Sequence, residues 1–149
     1  MSSEQVFQLD ARLENDTKHI ASWSLCDLLL MNDSQYPWCI LVPRLANLSE
    51  IYQLSQIQRQ QLDLESTFLS KSLMSIFEGE KLNVAALGNV VKQLHIHHVV
   101  RFSHDPAWPA PIWGKFPRKA YSAEALEAIL EKLSVLQGPD WAAIALLNT

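Results

Sequence analysis

The chain has 149 residues, of which 48% are hydrophobic and 19% charged. That is the composition of a chain that buries a core, not of a disordered one. Acidic residues outnumber basic ones 16 to 12, for a formal charge of -4. This excludes a general nucleic-acid binder, which needs a basic face to displace counterions.

No apolar run approaches the roughly 20 residues that span a bilayer. The start, Met1-Ser2-Ser3-Glu4-Gln5, has no export-signal pattern. The expectation is one domain, 1–149, in the cytoplasm, with neither membrane nor nucleic acid as a partner. Cys26 and Cys39 form no CxxC pair and are expected as free, buried thiols.

In chain order, Ile20 to Met31 is an apolar, strand-like run that ends in the turn cluster Asn32-Asp33-Ser34-Gln35. Trp38 to Val42 is a second β-prone run, ended by Pro43, and the two predict an antiparallel hairpin. Leu54 to Glu78 predicts a long helix with Leu54, Ile57, Leu62, Leu64, Phe68, Leu69, Leu73 and Ile76 on its apolar face and Gly79 as its stop. Leu82 to Leu87 and Gln93 to Phe102 predict two more strands, joined through Gly88-Asn89. A stiff loop with Pro106, Pro109 and Pro111 follows, carrying Trp108 and Trp113. A second helix is predicted from Ser122 to Gln137, ended by Gly138-Pro139, and Trp141 to Leu147 is an apolar tail that packs on the core or on a second subunit.

The informative segment is Gln93-Leu94-His95-Ile96-His97-His98-Val99-Val100-Arg101. Strand alternation puts Gln93, His95, His97, Val99 and Arg101 on one face and Leu94, Ile96, His98, Val100 and Phe102 on the other. The second face is apolar except for His98, so it is predicted to face the core, with His98 as a core histidine. The first face then presents a glutamine, two histidines and an arginine away from that core.

This segment resembles the histidine triad (HIT) superfamily of nucleotide hydrolases and transferases, whose motif is His-φ-His-φ-His-φ-φ with φ apolar. The chain reads Gln93-φ-His95-φ-His97, with glutamine at the first histidine position. The approach through Gly88-Asn89-Val90-Val91-Lys92, the hairpin around Leu29 to Pro43 and the long helix extend the likeness over about residues 20 to 102. The segment 105–114 resembles bacterial members related to diadenosine-polyphosphate hydrolases.

The resemblance implies an α+β fold: an antiparallel sheet of about five strands, one long helix and a C-terminal helix. It implies His95 as the nucleophile that attacks the α-phosphorus and forms a nucleotidyl-histidine intermediate. It gives His97 a role at phosphate oxygens or in proton transfer to the leaving group, and Gln93 a role in orienting its neighbours. Asn89 is implied at the transferring phosphate and Asn32 at the ribose, with Asn83 as a further contact. The implied substrate is a nucleotide or dinucleotide, among them dinucleoside polyphosphates, and the implied assembly is a homodimer. No cofactor is implied, beyond a divalent metal that arrives on the substrate's phosphates.

Other readings stand beside this one. Gln93 also suits a nucleotide-binding or sensing module with little catalysis. His95 and His97 alone can form a metal pair if His104, Asp105 or His19 supplies a third ligand, although no metal site is predicted. Arg101 can meet phosphate or form a structural salt bridge. Trp108 and Trp113 can cover the site or pack the loop, and Lys115, Arg118 and Lys119 can attract polyphosphate or face solvent. Between Gly88 and Lys119 the chain carries five basic residues, one acidic residue and four of its five histidines. The acidic total therefore conceals a basic, histidine-rich stretch suited to a phosphate chain.

Overall fold

The computed structural model describes residues 5–147. Five antiparallel strands, β1 (Thr17–Ser22), β2 (Cys26–Met31), β3 (Trp38–Pro43), β4 (Lys81–Ala85) and β5 (Ile96–Arg101), form one sheet in the order β1-β2-β3-β5-β4. The helices are α1 (Ala11–Asp16), α2 (Gln56–Phe77), α3 (Ala123–Leu133) and α4 (Trp141–Leu147). This is the expected α+β architecture, and both expected hairpins pair antiparallel: β2 with β3 and β4 with β5.

The long helix starts where its chemistry allows. Ser55 caps it, accepting from the Gln58 N–H, while the Gln58 side chain returns the bond to the Ser55 backbone. Such a capping box stabilises a helix by about 1 kcal/mol. Its buried positions are Leu62, Glu65, Leu69 and Leu73, a spacing of one helical face. Ile57, expected on that stripe, is exposed instead. At the other end the left-handed residue is Glu78, at φ 51°, and not Gly79. Gly79 serves close packing: a Cβ there would lie 2.4 Å from Val100 Cγ1 and 2.8 Å from Met74 Sδ.

The expected run from Ile20 to Met31 is two strands, broken at Trp23–Leu25. Polar anchors hold the break. The buried Glu65 carboxylate accepts from the N–H groups of Leu25 (2.9 Å) and Cys26 (3.0 Å). Arg44 donates to the Trp23 and Ser24 carbonyls and pairs with Asp27. Cys26 and Cys39 are free and buried, and burial alone pushes the Cys39 thiol up to about 12.

The sheet is covered on both faces. On one, Leu69 and Leu73 of α2 and Leu133 of α3 join Leu28, Leu30, Leu41, Ile96 and Val100 in the main core. Trp141 of α4 packs edge-on against Trp23 and Phe68. On the other, the N-terminal segment lays Phe7, Leu9 and Leu13 over Leu29, Ile40 and Val42. The proline-rich loop packs Ala107 and Ile112 against Val99 and Tyr36. Every residue of β5 is therefore buried, and the histidine face does not point to solvent as the alternation suggested. It points into a second, thinner layer. Among the described residues no helix is long and apolar enough to cross a membrane.

Candidate functional site

The site forms where the chain enters β5. His95 lies just before the strand and His97 within it, and their rings meet edge to face at 4.9 Å between centroids. Both are nearly buried, at 6% and 5% exposure. Together with Asn89, Gly88, Val90, Val91, Leu13, Met31 and Trp113 they line a cavity of about 370 Å³. Gly88 adopts φ 65°, so the loop can turn against this cavity with no side chain in the way.

Hydrogen bonds assign a different task to each imidazole. His95 Nδ1 lies 2.7 Å from the Gln93 carbonyl oxygen, which can only accept. Nδ1 therefore carries the proton, and in the neutral ring Nε2 keeps its lone pair. His97 Nδ1 lies 2.9 Å from Nε1 of Trp38, and an indole N–H can only donate. The proton of His97 therefore sits on Nε2. The pairing follows from register: Trp38 opposes Val99, so it lies diagonally across from His97 on the same face. Burial, then the neighbouring His95 and His98, pull His97 down to about 3, so it is neutral at physiological pH.

Gln93 orients His95, but through its backbone. Its side chain turns away to the N-terminal segment, accepting from the Asp10 N–H (2.9 Å) and donating to the Gln8 carbonyl (2.9 Å). Asp10 is the N-cap of α1, its carboxylate accepting from the Arg12 N–H. The glutamine thus fastens the segment from which α1 extends over the histidines.

The other predicted residues are spread more widely. Asn89 is brought to the two histidines. Asn32 accepts from the Tyr121 N–H (2.9 Å) and joins the end of β2 to the C-terminal segment, without lining the cavity. Asn83 accepts from Arg101 Nη1 (2.8 Å) and also lies outside the cavity lining. Arg101 is structural. Its buried guanidinium grips Asp105 through Nε (2.8 Å) and Nη2 (3.1 Å) and donates to the Ala110 carbonyl. Burial would raise the Asp105 pKa, but the Arg101 bonds and charge and the N–H groups of Phe102 and Trp108 hold it below its ordinary value. His98 is a core histidine with both nitrogens engaged, at the Ser66 hydroxyl (2.7 Å) and the Ile96 carbonyl (3.1 Å), and burial lowers it to about 4.

Among the described residues no group of three His, Cys, Asp or Glu is placed to hold a metal. The three candidates for a third ligand are each occupied elsewhere. His104 stacks on Phe102, Asp105 holds Arg101, and His19 meets Ser22. Of the basic residues beyond the loop, Arg118 pairs with Asp16 and Lys115 lies over Phe116, while Lys119 gives its carbonyl to Ser34.

Sequence reading missed α1 and what it carries. Arg12, Leu13 and Asp16 line the histidine cavity, and Arg12 and Asp16 also line a second one of about 790 Å³ beside it. That second cavity adds Asp33, Tyr36, Trp38, Phe116 and Arg118, with Met31 and Trp113 shared. A six-residue helix shows almost no periodicity, and the one available signal was Asp10 as a capping residue.

The HIT domain model matches residues 12–104. A histidine triad protein from Marinobacter aquaeolei VT8 is 51% identical in solved structure, covering 89% of this chain and 96% of its own, with a TM-score of 0.87. One from Bradyrhizobium japonicum is 39% identical over 87% of this chain and 96% of its own, with a TM-score of 0.84. The diadenosine triphosphate hydrolase of Plasmodium falciparum, 16% identical over 91% of this chain and 86% of its own, shares the fold at a TM-score of 0.60. No curated protein sequence matches the chain. The match over residues 12–104 and the 51% identity establish that the chain belongs to the HIT domain family.

Proposed function

We propose that the protein cleaves nucleotide phosphoanhydrides at the α-phosphorus, with His95 as the nucleophile and water as the final acceptor. The observation that carries this reading is the pair of opposite tautomers. His95 offers a lone pair at Nε2 beside His97, which offers a proton at Nε2. An attacking nitrogen needs the first, and an oxygen gaining charge needs the second.

Nε2 of His95 forms a bond to the α-phosphorus as the bridging P–O bond breaks and its electron pair leaves with the oxygen. The imidazolium that results keeps its Nδ1–H on the Gln93 carbonyl, which disperses the charge. Water then attacks the phosphorus, releases a proton to solvent, and returns the P–N electron pair to His95. Gly88 and Asn89 line the same cavity, and in this reading the Asn89 amide and the backbone beside Gly88 bond the non-bridging oxygens.

The test is chemical. A wild-type sample quenched in turnover of diadenosine tetraphosphate yields an acid-labile adenylyl adduct on His95 by mass spectrometry. His95→Ala forms none and loses turnover on the order of 10³-fold or more, with an unchanged circular dichroism spectrum. Binding without adduct or turnover in the wild-type protein makes the site a nucleotide-binding module and overturns the catalytic reading.

A further inference from the structure

We propose that Gln93 is a positioning residue that acts through the N-terminal segment. Its side chain latches residues 8–10 and so holds α1 as one wall of the histidine cavity, a task that the histidine usual at this motif position does not perform. The inference rests on the reading of that cavity as a nucleotide site.

Residue 93 faces two ways. Its backbone carbonyl accepts from Nδ1 of His95, while its side-chain amide reaches the Asp10 N–H and the Gln8 carbonyl, each at 2.9 Å. The oxygen and one N–H of a carboxamide lie on the same side of the group, so it accepts from residue 10 and donates to residue 8 at once. The two nitrogens of an imidazole diverge across the ring and cannot serve both groups. A carboxylate has no proton to give the Gln8 carbonyl.

What the latch holds is a wall. A helix of six residues is too short to stand alone. The far end of α1 is tied to the sheet, where Thr17 Oγ1 donates to the Leu13 carbonyl (2.6 Å) and the Asn32 N–H to the Asp16 carbonyl (3.0 Å). The near end is tied by Gln93, with Asn47 bonding Gln5 farther out. Beneath the segment, Phe7, Leu9 and Leu13 pack in one cluster with Met31, Trp38 and Val91. Leu13, Met31 and Val91 of that cluster line the cavity of His95 and His97, and Trp38 bonds His97.

Unlatching the segment loosens this wall and leaves the nucleophile in place, because the carbonyl that holds His95 belongs to the backbone and survives a substitution at residue 93. Gln93→His would complete the family's motif and release the latch. It therefore costs binding more than chemistry.

Adenosine monophosphate binding is measured by calorimetry, and trypsin cleavage after the exposed Arg12 of α1 by mass spectrometry, both on the full chain. Gln93→His and Gln93→Ala are each expected to weaken the nucleotide about tenfold, for two lost hydrogen bonds. They raise KM for diadenosine tetraphosphate to the same degree and lower kcat less than about threefold. Cleavage after Arg12 becomes about tenfold faster in both variants, while cleavage after Lys132 of α3 keeps its rate. The nucleotide slows the Arg12 cut in the wild-type chain, since a ligand that needs the wall also holds it. A Gln93→His enzyme that matches or exceeds the wild type overturns the proposal, as does unchanged cleavage after Arg12. So does a fall in kcat at unchanged KM, which means an effect on His95 itself, or faster cleavage at both sites, which means general destabilisation. A wild-type protein that binds the monophosphate but turns over no tetraphosphate overturns His95 as nucleophile, and the binding and cleavage results then decide the latch alone. A wild-type protein that does not bind the monophosphate overturns both.

Discussion

The indole N–H of Trp38 donates to Nδ1 of His97 at 2.9 Å, and this one bond decides what the second histidine can offer a substrate. It holds the proton on Nε2 and opposes any second proton. In Trp38→Phe the opposing donor is gone, so the His97 pKa rises and both tautomers become populated. Long-range ¹⁵N–¹H spectra of the imidazoles read this directly, with a single Nε2–H form in the wild-type protein. We expect turnover of a dinucleoside polyphosphate to fall about tenfold in the variant, the worth of one lost hydrogen bond. An unchanged tautomer in Trp38→Phe would falsify the assignment.

Two buried neutral histidines make stability depend on pH. His97 is held at about 3 and His98 at about 4, in both cases chiefly by burial, against 6.5 for a free histidine. Between those values the unfolded chain binds protons that the folded chain refuses. Their contribution is complete above pH 6.5 and is lost as pH falls toward 4, at up to about 1.4 kcal/mol per pH unit for each residue. Urea unfolding from pH 7 to 4.5 measures the slope. His98→Leu removes one of the two titrations and flattens it, while costing about 1–3 kcal/mol at pH 7 because the Ser66 hydroxyl and Ile96 carbonyl lose their partner. A slope in His98→Leu as steep as in the wild-type chain contradicts this account.

The strand that carries His97 and His98 was legible because its alternation is a local signal, although it begins at Ile96 and not at Gln93, and the long helix because its apolar positions recur over six turns. His98 was legible as a core residue, since it stands alone on an apolar face. The far side of β5 was not. Alternation says which residues share a face but not whether a loop will return to cover it, and Ala107 and Ile112 do so from beyond the strand. The role of Gln93 was hidden for the same reason. Its side-chain partners, Gln8 and Asp10, lie more than 80 residues away, and no pattern of spacing links them. Asn83 looked like a ligand contact because nothing local shows that Arg101 already holds it.

Arg101 and Asp105 hold the second layer over the site. Both side chains are almost fully buried, at 2% and 4% exposure, and Asp105 also accepts from the N–H groups of Phe102, Ala107 and Trp108. Asp105→Ala leaves a buried guanidinium without its carboxylate, a change that costs about 3–5 kcal/mol. The loop that carries Trp113 also loses its turn contacts, so turnover is expected to fall together with stability. Denaturation midpoints and tryptophan fluorescence, with activity assayed well below the midpoint, check both. Near-wild-type stability in Asp105→Ala contradicts the role given to the pair.

Gly79 offers the sharpest packing test, because it links the long helix to β4 and lies against Val100 of β5, the strand that carries His97. Its φ is unexceptional, so the usual argument for glycine after a helix does not apply; that left-handed position belongs to Glu78. The constraint is space. A methyl group at residue 79 meets Val100 Cγ1 at 2.4 Å and Met74 Sδ at 2.8 Å. The methionine can swing aside, but Val100 is a fully buried, β-branched residue of a central strand and has little freedom to move. Gly79→Ala is therefore expected to destabilise by about 1–3 kcal/mol, the usual cost of overpacking, although alanine is ordinarily the better residue near a helix end. Val100→Ala in the same chain removes the blocking methyl groups. The double variant should then be more stable than the sum of the two single losses allows, by about 1 kcal/mol. Additive losses would place the strain elsewhere than at the contact between residues 79 and 100.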